Sequence, residues 1–296
     1  MPQSSRVLGV GIATLDIVNT VATYPSEDEE IRALNQRKTR GGNATNTLVV
    51  LNALGHQCDW AGVLTAGTEA LFIKQDLDQH QIDYKHCLLF QQGTMPTSYI
   101  TLAQNTASRS IVHHRNLPEY DYESYQKLPL QYYDWIHFEG RNVDETRLML
   151  QHTQQSYSSI PISLEIEKPR EHIESLFPYA SVILFAKNYI LAKGYTQPQD
   201  FLQQLATALP NATLISAWGD KGAYAISHNK QFHQPAYSPE KIIDTLGAGD
   251  TFNAGIIDSM LKKQHIDATL EAACRLAGKK CGHIGLIKEN NHDHHL

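Results

Sequence analysis

The sequence predicts an α/β protein with a mostly parallel sheet flanked by helices on both faces and a small inserted β-sheet lid. Short, uninterrupted apolar runs recur along the chain, as in strands that are buried on both faces of a sheet. Segments of helix length separate these runs, which is typical of parallel βαβ units. Residues 17–38 and 94–115 differ, because Thr, Val and Tyr alternate there with polar residues, and this pattern favours antiparallel strands with one solvated face.

The predicted strands and helices alternate along the chain. The first strand is predicted at residues 7–12, the first helix at 43–54 before Gly55, and the next strand at 60–64. Further strands are predicted at 135–138, 162–166, 182–185 and 213–217, with helices such as 144–156 and 199–209 between them. We assign the body to residues 1–15, 39–93 and 116–290, the lid to 16–38 and 94–115, and a tail to 291–296. The alternative is that the two lid segments are edge hairpins of the main sheet.

Composition narrows the classes of function. The 296 residues contain 25 Lys+Arg and 31 Asp+Glu, which gives a net charge of −6 and argues against nucleic acid as the main partner. No apolar run approaches the ~20 residues that a membrane span requires. The four cysteines include no Cys-x-x-Cys pair, so we expect a reduced, cytoplasmic protein.

The segment 244–252, Asp-Thr-Leu-Gly-Ala-Gly-Asp-Thr-Phe, carries the strongest chemical signal. Apolar residues recur after Gly249 with the spacing of a helix face, so a glycine-containing turn leads into a helix. Gly247 and Gly249 allow backbone N–H groups to approach an anion at the positive end of that helix. Asp250 would repel a phosphate, but it suits a base that takes a proton from an attacking hydroxyl. The plainer alternative is an acidic residue in a first helical turn.

A second constellation is the segment 40–46, Arg-Gly-Gly-Asn-Ala-Thr-Asn, at the start of the first predicted helix. Asn43 and Asn46 are three residues apart and share one helix face, and their amides suit the hydroxyl groups of a sugar. Asp16 follows the first strand and could add an acceptor. The alternative is that Asn43 is a helix N-cap and Asn46 a satisfied polar neighbour.

These two segments resemble the signature regions of the ribokinase-like carbohydrate kinases, and the resemblance extends along nearly the whole chain. More narrowly, four segments resemble the ketohexokinase branch of that family: residues 24–32, 135–142, 165–170 and 277–282. The resemblance implies a ribokinase-like fold. It also implies phosphorylation of D-fructose at the C1 hydroxyl by ATP with Mg²⁺, giving fructose 1-phosphate and ADP.

The resemblance also implies roles for individual residues. Asp250 matches the catalytic base of the family, with Gly247, Ala248 and Gly249 as its anion hole. The sugar contacts of the family match Asp16, Gly42, Asn43 and Asn46, together with Arg109, which reaches over from the lid. Nucleotide-binding positions match Gly219, Gly222, Gly247, Gly249, Cys274 and Lys187.

Two further implications concern assembly and ions. In this family the β lids of two subunits clasp each other, so the resemblance implies a homodimer in which Asp28 enters the sugar site of the partner. From the residues alone, the loop around Asp28 is a solvated run of charge. K⁺ beside the anion hole is another family feature, for which Asp244 is the possible side-chain ligand.

Some residues remain ambiguous. Glu139, Glu165, Glu167 and Lys187 lie at strand ends and could organise phosphates and Mg²⁺-bound water. The Asn-x-x-Glu motif common in the family is missing, because no glutamate follows Asn188, so no direct Mg²⁺ ligand is assigned. The alternatives for function are a family kinase that acts on another sugar or hydroxyl, including ribose, another ketose or fructose C6, and a regulator that binds sugar without catalysis.

Overall fold

The computed structural model describes residues 4–106 and 108–288, so the predicted tail at 291–296 lies outside the described residues. The strands in this part of the chain are β1 (Arg6–Val10), β2 (Thr14–Val21), β3 (Asn35–Gly41), β4 (Gln57–Ala61), β5 (Val63–Thr65), β6 (Ile82–Asp83), β7 (Leu88–Phe90), β8 (Thr97–Ala103), β9 (Ser108–His114), β10 (Trp135–Glu139), β11 (Ile162–Ile166), β12 (Val182–Ala186), β13 (Thr213–Ala217), β14 (Ala223–Ser227) and β15 (Lys230–Gln234). The α-helices are α1 (Asn43–Ala53), α2 (Thr68–Gln79), α3 (Tyr122–Tyr125), α4 (Val143–Ser156), α5 (Lys187–Ala192), α6 (Pro198–Ala208), α7 (Ala248–Leu261) and α8 (Ile266–Cys281).

A nine-stranded sheet forms the body, in the order β15-β14-β13-β12-β11-β10-β1-β4-β6. In this order, every neighbouring pair from β13 to β6 is parallel. The pairs β13–β14 and β14–β15 are antiparallel. The strand order reverses at β1, which lies between β4 and β10. Open α/β sheets bind ligands beyond the carboxyl ends of the strands at such a point.

Helices cover both faces of this sheet. Successive strand residues point to opposite faces, so Val7 and Trp135 pack into one apolar core while Leu8 and Ile136 pack into another. The first core contains residues of α1, α2, α7 and α8, and the second contains residues of α3, α4 and α6. The predicted α/β layering is therefore confirmed.

A separate four-stranded sheet is built from the two predicted lid segments, in the order β3-β2-β8-β9. The alternative that these segments are edge hairpins of the main sheet is therefore wrong. The expectation of purely antiparallel pairing is also wrong, because β2 and β8 run parallel. The chain passes through α1 and α2 between these two strands, and strands joined by such a crossover can pair in parallel. The exact lid boundaries, 16–38 and 94–115, stay a prediction.

The strand predicted at residues 60–64 is divided in the structure. Residues up to Ala61 belong to β4 in the large sheet, whereas β5 starts at Val63 and pairs with β7 in a two-stranded sheet. Gly62 lies at the break, and a Cβ atom there would stand 2.4 Å from the Trp60 ring. The chain thus changes sheets where only glycine fits. In the described residues, no helix is both long and apolar enough to cross a bilayer.

Candidate active site

The turn from β3 into α1 places two asparagine side chains at the start of the helix. Gly42 precedes α1 with a φ of 105°, a backbone conformation that residues with a Cβ rarely adopt. The Asn43 amide lies 3.4 Å from Oε2 of Glu167, and the Asn46 amide donates to Oδ2 of Asp250 over 2.7 Å. The first helical turn of α1 therefore contacts the predicted base directly.

The turn into α7 has the geometry of an anion site. Gly247 caps the helix with a φ of 76°, and α7 begins at the next residue, Ala248. A Cβ atom built at Gly249 would meet no heavy atom within 4 Å, so the space beside the first turn is open. The N–H of Ala248 donates to the carbonyl oxygen of Thr245 at 3.3 Å. The helix dipole and the remaining N–H groups of the first turn favour an anion there.

Asp250 lies in the first turn of α7 with only 7% of its surface exposed. Burial and the charges of Glu139 and Glu167 together raise the pKa of this carboxyl to about 7, although the hydrogen bond from Asn46 lowers it. A carboxyl with such a pKa accepts a proton near neutral pH, which is the property expected of a general base.

Glu139 ends β10 at the point where the strand order reverses. Its carboxylate accepts hydrogen bonds from the backbone N–H of Ile12 at 3.0 Å and of Ala44 at 2.8 Å. It therefore connects the end of β1 with the start of α1. This contact fixes the helix end that carries Asn43 and Asn46.

Glu165, on the neighbouring strand β11, is buried without such partners. Within the described residues, its Oε2 atom has no hydrogen-bond partner. Burial raises the pKa of Glu165 well above its ordinary value, and the charges of Asp250 and Glu139 add to this effect. A buried carboxylate among other carboxylates is costly unless a cation accompanies it.

Five of the six predicted nucleotide-binding residues line one cavity of about 490 Å³, and Gly247 is the one that does not. A volume of this size is typical of small-molecule sites. The predicted residues among its lining are Gly219, Gly222, Lys187, Cys274, Ala248 and Gly249, with Arg109 from the lid. Glu165 also lines this cavity and, with Asn43, a narrow polar cleft beside it, so it stands between the two.

Lys187 and Cys274 lie at different walls of this cavity. Lys187 starts α5, and its ammonium group is 5.5 Å from the centre of the Trp218 ring. Cys274 is buried in α8, whose inward-facing residues divide between the core and the cavity. Leu270 and Ala273 pack into the core, whereas Ala277 and Cys281 line the cavity.

The lid contributes a polar group around Asp16. The Asp16 carboxylate accepts from the Thr14 hydroxyl at 2.7 Å, and a Cβ atom on Gly41 would lie 2.1 Å from its Oδ2. Asp16 thus lies against the Gly41–Gly42 turn. Ser98 and His113 lie 3.2 Å apart on neighbouring strands, and both lower the pKa of Asp16. Neither residue was predicted from the sequence.

Two predicted residues stand apart from this cluster. Asp28 is exposed in the loop between β2 and β3, where its φ is 62°. Asp244 is buried, and its carboxylate accepts from Arg37 at 2.9 Å and from the N–H of Leu246 at 3.0 Å. The buried ammonium of Lys280 lies 3.7 Å from the same carboxylate. Asp244 is already paired with two cationic side chains, Arg37 and Lys280, so it does not fit the role of a K⁺ ligand.

Arg40 is the buried site residue that the sequence reading left without a role. It immediately precedes the Gly41–Gly42 turn, and its side chain contacts Asn46. A cationic residue beside a glycine turn is a weak signal, because only the folded turn shows which residue its side chain reaches.

Comparison with known proteins agrees with this geometry. The model of the pfkB family carbohydrate kinases matches residues 5–293. The chain belongs to this family. It is therefore a sugar kinase, as the resemblance predicted.

Individual relatives of this pfkB family chain agree with the assignment. Ketohexokinase from Mus musculus is 38% identical over 289 residues, which cover 95% of this chain and 97% of the relative. A fructosamine kinase from Bacillus subtilis is 25% identical over 83% of this chain and 84% of its own length. The ribokinase of Arabidopsis thaliana, solved with ribose and ATP, shares the fold with a TM-score of 0.78 and 16% identity, over 96% of this chain and 94% of its own.

Proposed function

We propose that this pfkB family kinase transfers the γ-phosphoryl group of ATP to the C1 hydroxyl of D-fructose. The C1 oxygen forms the new bond to phosphorus, and its proton passes to Asp250. The bond between the γ-phosphorus and its bridging oxygen breaks, so that ADP leaves and fructose 1-phosphate remains. Fructose is proposed because the ketohexokinase from Mus musculus is 38% identical over nearly the whole chain.

The observation that carries this proposal is the 2.7 Å contact between the Asn46 amide and Asp250. It brings the start of α1, the proposed sugar-binding element, onto the base in the first turn of α7. Asp16, Gly42 and Asn43 are proposed to hold the sugar on the same side, with Arg109 reaching across from the lid. The nucleotide then occupies the 490 Å³ cavity, which ends at the open turn of α7.

In the proposed reaction, residues of this chain position the reactants and stabilise the charge that develops. The N–H groups at Gly247 and Gly249 are proposed to face the charge that develops on the transferred group, and positioning and electrostatics dominate such transfers. The N–H of Ala248, the third predicted member of the anion hole, donates to the carbonyl oxygen of Thr245 over 3.3 Å and is not assigned to this role. Asn46 orients Asp250, and Glu139 holds the helix that carries Asn46. Asp250 holds the proton of the hydroxyl until product leaves.

The donor set around Glu165 fits Mg²⁺. Its Oε2 is buried without a partner, and Mg²⁺ in kinases takes one or two carboxylates together with water and nucleotide phosphates. No cluster of three or more His, Cys, Asp or Glu residues that could hold a metal occurs in the described part of the chain. When bound, the ion would neutralise phosphate charge.

Product analysis tests the proposed reaction. The enzyme is incubated with MgATP and D-fructose, ADP release is measured, and the phosphorylated carbon is read by ³¹P and ¹³C NMR. Fructose 1-phosphate is the expected product. A 6-phosphate product, or turnover only with ribose or another ketose, would agree with a sugar kinase. It would contradict the proposed substrate or the proposed hydroxyl. Sugar binding without ADP release would identify a regulator instead.

Glu165→Gln tests the proposed Mg²⁺ ligand without relying on turnover. Mn²⁺ replaces Mg²⁺, and its binding to the enzyme with ADP is followed by electron paramagnetic resonance. We expect Mn²⁺ to bind roughly 10-fold more weakly or worse, since even groups that only support the metal ligands typically change metal affinity by that factor. Glu145→Gln is the control, because Glu145 bonds the N–H of Tyr122 and does not line the cavity. Equal Mn²⁺ binding by wild type and Glu165→Gln would exclude this ligand.

The lid is also proposed to hold two subunits together. Strand β9 is the edge of the small sheet and is exposed along its whole length. Val112 on this strand is 70% exposed and pairs with Tyr99, which is 50% exposed. An exposed apolar edge of this kind is a natural contact for a second copy. In that dimer, Asp28 is proposed to enter the sugar site of the partner.

Mixing two inactive variants tests this shared site. Asp28→Ala lacks the shared carboxylate and Asp250→Asn lacks the base, so a mixed dimer has one complete site. Random exchange of subunits should therefore restore about a quarter of wild-type activity. Val112→Asp in both chains should abolish the recovery, whereas Leu71→Asp on α2, which is equally apolar and 56% exposed, should preserve it. No recovery after verified subunit exchange would contradict the shared site.

A further inference from the structure

Arg40 is almost completely buried at the end of β3, with 4% of its surface exposed. Its Nε atom contacts the carboxylate of Asp76 on α2. Its Nη1 atom donates to Oγ1 of Thr45 at 2.9 Å and to Oδ1 of Asn46 at 2.7 Å. The guanidinium group therefore joins α2 to the first turn of α1, directly behind the sugar-facing residues.

This contact determines which way the Asn46 amide points. A guanidinium group has donors only, so the oxygen of the amide must face Arg40 and the NH₂ group must face away. That NH₂ group meets Oδ2 of Asp250 at 2.7 Å. The Thr45 hydroxyl lies 3.1 Å from the carbonyl groups of Gly41 and Gly42, to which it can donate, so its lone pair is free to accept from Arg40.

We propose that Arg40 is a positioning residue for catalysis, which fixes the Asn46 amide and through it keeps Asp250 as the oriented carboxylate that accepts the sugar proton. This inference rests on the proposed role of Asp250 as the base. With one carboxylate oxygen held by Asn46, the other is left for the hydroxyl. A flipped amide would instead turn its oxygen toward Asp250, and two acceptors would repel each other.

The charges around Asp250 determine what the loss of Arg40 should do. Burial raises the pKa of Asp250 most, and Glu139 on β10 and Glu167 after β11 raise it further. Glu165 on β11 also interacts with its charge. The Asn46 hydrogen bond from α1 and the charge of Arg40 lower this pKa. Helix α8 packs on α7, but its buried Lys280 donates to the carbonyl oxygen of Asp244 at 2.8 Å. Arg40 and Asn46 thus favour the ionised form.

The test measures kcat/KM for the sugar against pH in Arg40→Met and in wild type. The base acts when ionised, so wild-type activity falls as the pH drops through the pKa of Asp250, which is about 7. We expect this acid limb to move upward by about one pH unit in Arg40→Met. At pH values above the limb, kcat should fall by ~10-fold or more, because a hydrogen bond to a charged group is lost.

A double-mutant cycle tests whether Arg40 acts through Asn46. In an Asn46→Ala background, Arg40→Met should have a smaller effect on the acid limb, because only the part that comes from the charge of Arg40 remains. Arg40→Lys keeps the charge but not the contact of Nη1 with two acceptors. The acid limb of this variant should therefore move in the same direction as in Arg40→Met, but by a smaller amount. This conservative variant keeps the test decisive if Arg40→Met does not fold.

Arg6→Met is the matched control. Arg6 pairs with Asp59 at 2.7 Å at the start of β1, the opposite end of the strand from the site. Its removal should leave the acid limb unchanged. An active wild type with no shift in either Arg40 variant would overturn the inference and leave the proposed function intact. A wild type without kinase activity on any sugar would instead overturn the proposed function.

Discussion

Replacing Asp250 by asparagine should lower kcat by ~10²–10⁴-fold, which is the usual contribution of a general base. The substitution keeps the shape of the side chain, and the amide cannot take the proton of the sugar hydroxyl. Sugar and nucleotide binding should change much less than kcat, because the base acts mainly in the transition state. Steady-state kinetics at pH 8, where the wild-type carboxyl is ionised, give both quantities. Turnover near the wild-type rate would remove Asp250 from this role.

Thermal unfolding separates this effect from damage to the fold. The folded-state pKa of Asp250 lies above its ordinary value of 3.8, at about 7. The folded protein therefore loses stability from this group as the pH rises from 3.8 to about 7, and the whole penalty is present above that range. Asparagine carries no such charge, so the melting temperature at pH 8 should be unchanged or higher. A variant that is both inactive and less stable would point to misfolding instead.

Gly42→Ala should damage both stability and sugar binding. The φ of 105° strains any residue with a Cβ, and the new Cβ would lie 2.1 Å from the backbone oxygen of Ile12. Because both atoms are tied to backbone, β1 or α1 must move. Asn43 and Asn46 move with α1, and a misplacement near 1 Å can cost ~10²-fold in rate. We expect a loss of about that size in kcat/KM for the sugar, measured alongside urea unfolding.

Gly55→Ala is the matched control for this prediction. Gly55 follows α1 with a similar φ of 101°, but a Cβ atom there meets nothing within 4 Å. It should lose only the conformational strain, about 1–3 kcal/mol of unfolding free energy, and keep its activity. Gly42→Ala should lose at least ~1 kcal/mol more, because a packed region must shift. Equal losses in the two variants would show that the contact with Ile12 is relieved without cost.

Several features of this protein depend on local rules, and these could be predicted. The apolar runs and their spacing gave the α/β layering, since strand burial and helix periodicity are properties of short segments. The turn at Gly247 was predicted for the same reason, because glycine is favoured where the backbone has a positive φ. The family signature predicted that the protein is a sugar kinase, and the comparison confirmed this.

Other features depend on long-range packing and could not be predicted in this way. The parallel pairing of β2 with β8 brings together segments some eighty residues apart. The division of the run at Gly62 follows from the position of the Trp60 ring. Neither contact leaves a pattern in its own segment, so the antiparallel lid and the single strand at 60–64 were both wrong.

The sequence by itself determined the fold class, the glycine turn at Gly247 and the presence of Asp250 at a helix start. Tertiary structure decided how those parts work together. The partners of Arg40 come from α2 and α1, and Asp250 meets Asn46 across more than two hundred residues. Among the described residues, the Oε2 atom of Glu165 is left without a hydrogen-bond partner. Propensity and spacing act between neighbours in the chain. Hydrogen-bond direction, burial and charge depend on which side chains the completed fold brings together.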